Sequence, residues 1–379
     1  MKFEVLKPKR FPWFDYTRYS FSMGLRSSTG TYLSGNTASE FDPAVKRIVV
    51  KGGMTDQVRT AWAKIGAILE AGGLSYADVT RVVEYVKPEG IERYAEANAV
   101  RHEVFGSHQP VVYTVPVKAL LRPDAFIEIE VTASPVAGKK ETTSGVVFLP
   151  TVQPVDERGN IIGAGDVVAQ TRAIFEKAGK MLAALGVGFD RVVKTCDYIT
   201  PAALAAYKGT GRVRKEHLGP VYPGAAGIIM PRLLHPEALI QYDFIATRNT
   251  PVAVNPGWTR YQKLTYSPAV RAGKLLFMSG QGSLDPASER VVHDGDVVAQ
   301  AEYTYSNVLK VLEAAGARPQ NLVKTIEYVT PNALGRYRDV AKVREKLLRE
   351  PWPASTGLIC EALLRPEMQI EIDPFAVLD

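Results

Sequence analysis

The stretch Gly165-Asp-Val-Val-Ala-Gln170 returns letter for letter as Gly295-Asp-Val-Val-Ala-Gln300, an offset of 130 residues, and Val193-Lys-Thr195 returns as Val323-Lys-Thr325 at the same offset. A shift of 113 residues finds a more diverged earlier copy, pairing Gln57 with Gln170, Gly73 with Gly186, Tyr85 with Tyr198, Pro88 with Pro201, Tyr94 with Tyr207, Arg101 with Arg214 and Pro110 with Pro223. The third members are Gln300, Gly316, Tyr328, Pro331, Tyr337, Arg344 and Pro353, reached without an insertion. Self-similarity at this level sets the architecture before any single element does. The chain reads as three copies of one α/β unit joined head to tail.

The third copy shows the unit best. Leu275–Gly280 is a short apolar run ending in glycine, hence a buried strand. From Asp296 to Ala315 the apolar residues Ala301, Tyr305, Val308, Leu309 and Leu312 fall at helical spacing, and Gly316 sits where a helix end favours a left-handed residue. Leu322–Val329 reads as a strand, Ala333–Leu348 as a second helix, and Ser355–Leu364 and Met368–Phe375 as two closing strands parted by Arg365-Pro366. Each unit therefore holds a mixed sheet with two helices on one face, an α+β arrangement. The other face is apolar too and needs a partner, so three sheets are expected to bury it against each other about a common axis, as an intramolecular pseudo-trimer. The expected boundaries are an arm at 1–18, repeats at 19–135, 136–249 (degenerate) and 250–379, with linkers at Pro135–Thr143 and Asn249–Gly257. Phe11, Trp13, Phe14 and Tyr16 suggest an arm packed over a neighbouring repeat.

With 379 residues, 46% of them hydrophobic, the chain has room for two or three cores. Met1–Arg10 carries no signal-like apolar run, and nowhere do about 18 uncharged apolar residues follow one another. A soluble cytoplasmic protein without a membrane partner is expected. Its net charge of +6 hints at an anionic partner, but the basic residues are scattered rather than gathered into a stripe, which argues against nucleic acid. Cys196 and Cys360 fall in different repeats and read as core residues of a reducing compartment. His102, His108, His217, His235 and His293 form no metal-ligand spacing, and there is no phosphate loop, dinucleotide fingerprint or Ser-His-Asp motif, so neither metal nor cofactor is expected.

Met278-Ser279-Gly280-Gln281, the helix end Leu312-Glu-Ala-Ala-Gly316, Pro353-Ala-Ser-Thr356 and Gln369-Ile-Glu-Ile-Asp373 together resemble the Rid (YjgF/YER057c/UK114) superfamily, once per repeat over roughly residues 19–379. The resemblance implies a chorismate-mutase-like fold around a central β-barrel, ligand clefts between repeats, and deamination of imines or enamines. It also exposes departures. The arginine that grips a substrate carboxylate in deaminating members is replaced by Val112, Ala225 and Ser355, and the family's N-terminal tyrosine falls near Ala269 in the third copy. Ser34-Gly35 and Ser279-Gly280 become Pro150-Thr151 in the middle copy.

Imine hydrolysis needs a water, a proton shuttle and donors that hold the substrate. The last strand of each unit supplies Glu128 and Glu130, Gln241 and Asp243, or Glu371 and Asp373; strand alternation puts both members of each pair on one face, opposite Ile129, Tyr242 and Ile372. These acids serve either as chemistry or as partners for basic residues across an interface. Eight residues after the aligned prolines stand Lys118, Pro231 and Glu361. Glu361 is either one half of a buried ion pair with Lys118 or a general base in a cleft. The first-choice site uses Ser279, Ser355, Glu361 and Asp373 and the second uses Ser34 and Glu130, with Gly280 and Thr356 as further substrate-binding candidates. The expected function is hydrolysis or deamination of a small C–N substrate by acid/base chemistry in one of these clefts. The rivals are a non-catalytic metabolite binder and a ring-opening amidohydrolase or chorismate-hydrolysing enzyme of similar architecture. With three units in one chain, a monomer or a dimer is expected.

Overall fold

A computed structural model describes residues 3–138 and 144–378. The linker read at Pro135–Thr143 lies partly outside the described residues.

One core recurs three times. Its long helices are α1 (Met54–Ala71), α2 (Val167–Ala184) and α3 (Val297–Ala314). Each helix is followed by three strands: β1 (Val79–Val86), β2 (Val111–Pro116) and β3 (Ile127–Ala133); β4 (Val192–Ile199), β5 (Gly224–Ile229) and β6 (Ile240–Thr247); β7 (Leu322–Val329), β8 (Ala354–Ile359) and β9 (Ile370–Val377). The first strand of each trio is central, parallel to the second and antiparallel to the third.

The repeated Gly-Asp-Val-Val-Ala-Gln motif builds the start of the helix and ties it down. Gly165 and Gly295 hold φ of +74° and +80°, where a side chain would be strained, and Asp166 and Asp296 cap α2 and α3 by accepting from the amides two and three residues on. Gln170 then donates to Glu237 O and accepts from Leu239 N at 3.1 and 2.7 Å, and Gln300 does the same with Glu367 O and Gln369 N at 2.8 and 2.7 Å. Gln57 makes the matching pair with Asp124 O and Phe126 N. A buried amide side chain thus clips each long helix to the turn that launches the last strand.

The helix expected at Ala333–Leu348 is broken into Leu334–Tyr337 and Val340–Leu347. Between them the bonds shorten to three-residue steps, Asp339 N to Arg336 O and Lys342 N to Asp339 O. With the break in place, Tyr337 and Arg344 both reach the buried carboxylate of Glu327, at 2.6 and 2.8 Å.

Both faces of each sheet are covered, which is why β4, β7 and β9 are buried at every position instead of alternating. One face packs on its helices. The other joins a cluster drawn from all three repeats, including Val83, Tyr85 and Val115, Cys196, Tyr198 and Ile228, and Ile326, Tyr328 and Leu358. The sheets stay open: six-, five- and eight-stranded mixed sheets and a two-stranded hairpin, with no closed barrel among the described residues. Neighbouring repeats exchange only two-residue strands, Ala119–Leu120 onto β8 and Ala362–Leu363 onto β5, too short to carry a continuous ladder around an axis. The aromatic arm also differs from expectation, since Phe11, Phe14 and Tyr16 pack on the core of their own repeat. Phe3 and Val5 alone of this arm reach the cluster shared with the other two repeats. Among the described residues no helix is long and apolar enough to cross a membrane, and no group of three or more His, Cys, Asp or Glu side chains could hold a metal ion.

Candidate functional site

Each repeat offers an acid to its neighbour and a cation to the other side. Lys194 of β4 ion-pairs with Asp373 of β9, and Lys324 of β7 pairs with Glu130 of β3 at 2.6 Å. At the third joint Arg81 of β1 stands near Asp243 of β6, whose carboxyl takes a 2.5 Å bond from Thr151; burial nonetheless pushes Asp243 up to about 7. These pairs flank a small central cavity of about 30 Å³ into which Tyr85, Tyr198 and Tyr328 project, with Tyr198 and Tyr328 hydroxyls 3.2 Å apart. It has room for a water or two and for little else. Asp373 and Glu130 are thus spoken for by lysines.

The second acid of each pair behaves differently. Glu371 is buried and, among the described residues, has no ion pair; burial pushes its carboxyl up to about 8, with Asp373 adding to the shift. A Cβ on Gly280 would lie 2.1 Å from Glu371 Oε1, so glycine is the residue that admits this carboxylate. Gly35 stands in the same relation to Glu128 at 2.0 Å, and Glu128 is also raised to about 8, chiefly by burial. In the middle repeat both partners change together. The bridge positions Asn36, Val152 and Gln281 lie opposite Ile129, Tyr242 and Ile372, which makes Thr151 the counterpart of the two glycines and Gln241 the counterpart of the two glutamates. Thr151 bonds to Asp243 and Gln241 donates to Thr114 O at 2.9 Å, so neutral side chains take the places of the glycine and the glutamate at that joint.

The sequence candidates therefore belong to different interfaces. Ser279 and Gly280 meet the second repeat: Ser279 Oγ donates to Ser267 O at 2.6 Å and accepts from Ala225 N at 2.8 Å, and Gly280 N donates to Ala225 O. Ser355 and Thr356 meet the first repeat, where Ser355 N donates to Ser34 Oγ and Thr356 donates to Glu130. The first-choice grouping is thus divided, because a joint takes its glycine turn from one repeat and its parallel strand from the next. Glu361 stands apart from both glycine turns, just past the end of β8, where its amide donates to Ile229 O of the second repeat. It pairs with Lys118 at 2.9 Å with the two side chains 31% and 45% exposed, so the pair envisaged as buried is partly in solvent. Ala269 is fully buried in a strand and lines no cleft.

The sequence reading missed what stands beside Glu371. Ser22 O and Ser267 O accept the same bond from Ser34 and Ser279, which sets an offset of 245 residues between the N-terminal segments of the first and third repeats. In that register Trp13 matches Trp258, Tyr16 matches Tyr261, and Phe21 matches Tyr266. Tyr266, three residues before Ala269, is the hydroxyl next to Glu371, and the two interact electrostatically. The Tyr261 ring meets Tyr266 edge-on at 5.5 Å, and Arg260 lies over the Tyr261 ring at 5.1 Å. The Trp-x-x-Tyr spacing was the available signal, and a two-residue length difference in the intervening hairpins hid it from a search at the offset of the helices.

From the second repeat, Arg214 reaches the same wall, donating to Thr265 Oγ1 at 3.1 Å. The joint between the second and third repeats thus gathers a carboxyl raised by burial, two tyrosines and two guanidiniums around Tyr266. This set can hold a polar ligand and exchange a proton with it.

A family model described as Endoribonuclease L-PSP matches residues 16–134 and 261–378. Protein DfrA of Myxococcus xanthus is 40% identical over 114 residues, 30% of this chain and 84% of its own length. The 2-iminobutanoate/2-iminopropanoate deaminase of Mus musculus is 30% identical over 133 residues, 35% of this chain and 89% of its own. Among solved structures, a chorismatase aligns over 79% of this chain and 93% of its own with a TM-score of 0.52 and 18% identity, a likeness of fold.

Proposed function

Because the chain belongs to the Endoribonuclease L-PSP family, the Rid superfamily of the sequence reading, we propose that it hydrolyses a small imine or enamine in the cleft between its second and third repeats, with Glu371 as the proton carrier. The observation that carries this reading is the buried carboxyl of Glu371, seated against Gly280 and raised to about 8 with no ion pair among the described residues. The names of relatives from mouse, goat and Salmonella, imine deaminases at 30–32% identity, favour the same chemistry. In this reading the repeats at 19–135, 136–249 and 250–379 are grouped as a pseudo-trimer of one chain, monomeric or dimeric and cytoplasmic. Scattered basic residues favour a small-molecule ligand over nucleic acid.

At neutral pH Glu371 holds its proton and gives it to the nitrogen of the C=N bond. Water adds to the carbon, and the Glu371 carboxylate takes the proton that the water oxygen sheds. Passage of the remaining hydroxyl proton to nitrogen through the same carboxyl breaks the C–N bond, leaving a carbonyl and ammonia. Asp373 and Ser279, held by Lys194 and by two backbone groups, fix the wall on which Glu371 sits and take no proton in this scheme.

The test is ammonia release from 2-iminobutanoate generated in the assay by an amino-acid oxidase. Glu371→Gln is expected to lose at least about 100-fold in turnover, the usual worth of a positioned acid. Loss in Glu361→Gln instead would move the chemistry to the Lys118 pair. No ammonia above the spontaneous rate would favour the metabolite-binding alternative.

A further inference from the structure

The three repeats carry the same acid, tyrosine and arginine behind the cleft wall, and comparing them shows one joint modified for a negative ligand. In the first repeat Arg101 pairs with Glu84 at 2.6 Å beside Tyr94, and in the third Arg344 pairs with Glu327 at 2.8 Å beside Tyr337. The second repeat has Asp197 at that place, one methylene shorter. Tyr207 still donates to Asp197, but among the described residues Arg214 has no ion pair, and it turns to Thr210, Tyr242 and Thr265 instead. With the shorter acid the guanidinium is held by neutral oxygens at the joint between the second and third repeats.

Two further differences point the same way. Where the third repeat presents Tyr266, the first has Phe21, and where the third has Arg260, the first has Asp15, half exposed and bonded to its own turn. Arg260 has a side chain only 12% exposed, and its buried Nε donates to nothing; the nearest acid, Glu289, stands 3.9 Å away on an exposed turn, beyond hydrogen-bond reach. A buried charged donor without an acceptor is costly unless something supplies one. The Tyr261 ring lies beneath the guanidinium, which also hydrogen-bonds Tyr261 and Tyr266, so it is the Nε side of the group that is left for an anion.

We infer that Arg260, supported by Arg214 and Tyr266, is an anion-gripping subsite, so that the ligand of this cleft carries a carboxylate that Arg260 takes in place of an arginine at Ala225. This rests on the reading of the same cleft as the working site, and it makes Arg260 a specificity-determining residue at a position set by the N-terminal segment of the third repeat. The other two joints lack the arrangement: one has Asp15, Phe21 and a neutralised Arg344, the other Thr151 and Gln241.

The experiment is calorimetric titration of the full chain with pyruvate and with pyruvamide, its neutral amide, alongside turnover of an N-alkyl ketimine that has no carboxylate. Wild type is expected to bind pyruvate saturably and pyruvamide at least about tenfold more weakly. Arg260→Gln should weaken pyruvate binding by about tenfold to a hundredfold, Arg260→Lys by less, and Arg260→Asp should abolish it. An affinity for pyruvate within a factor of about two of wild type in Arg260→Gln, equal affinity for the amide, or no saturable pyruvate binding would overturn the inference. Ketimine turnover that needs Glu371 without Arg260-dependent pyruvate binding would leave the hydrolase standing and remove the subsite. Arg260-dependent binding without any turnover would do the reverse.

Discussion

Gly280 has the narrowest tolerance of any residue in the cleft. A methyl group there would sit 2.1 Å from Glu371 Oε1, so Gly280→Ala must push the carboxylate away or distort the turn that Ser279 anchors. The expected outcome is a stability loss of about 1–3 kcal/mol by urea melting together with loss of ammonia release. Glu371 also leaves a signature in pH. At low pH folded and unfolded chains both hold its proton; between the ordinary carboxylate range and about 8 the folded chain keeps a proton that the unfolded chain has released, so this group's contribution to stability falls as pH rises. Glu371→Gln should remove that slope, its melting temperature gaining on wild type from pH 4.5 to 8, and parallel curves would argue against a raised pKa. Asp197→Glu should give Arg214 the partner that Arg344 has in Glu327, and so weaken pyruvate binding while leaving the melting temperature unchanged or higher.

Among elements, the long helices depend on one glutamine each. Gln300→Ala would leave the buried Gln369 N without its partner and free Glu367 O of the adjoining turn, at a cost of about 1–3 kcal/mol in a denaturant titration. Much at this scale could be read from the sequence. Leu322–Val329 is a strand over those same residues, and the helix expected from Asp296 to Ala315 runs from Val297 to Ala314, because a capping aspartate and a closing glycine bound it. The break at Arg338-Asp339 could not be read, since the apolar stripe runs through it unchanged and the contacts of Tyr337 and Arg344 with Glu327 that accompany it reach to another element. The glycine turns and the acid pairs were visible as motifs. What stayed hidden was which motif meets which: Ser279 and Ser355 look like neighbours on one unit and belong to two joints.

At the scale of the whole molecule, the repeats are held by apolar contact at the centre and by buried ion pairs around it. Lys194→Met would leave Asp373 buried and unpaired, with an expected loss of about 3–5 kcal/mol, and most of that should return in Lys194→Met combined with Asp373→Leu. Urea melting of the single and double variants measures both. Sedimentation should give the mass of one chain or two, and a mass of three chains would contradict a trimer completed within the chain.

The change from glycine to threonine at position 151 has a wider meaning. In an assembly of three identical subunits, every substitution is written three times, so no pocket can be sealed, recharged or widened while its siblings are spared. Here one joint carries Thr151 and Gln241 where another carries Gly280 and Glu371. Duplication followed by fusion gives selection separate control of each joint. One joint is then free to drift toward pure packing, and the surroundings of Arg260 can change without a matching change anywhere else in the chain.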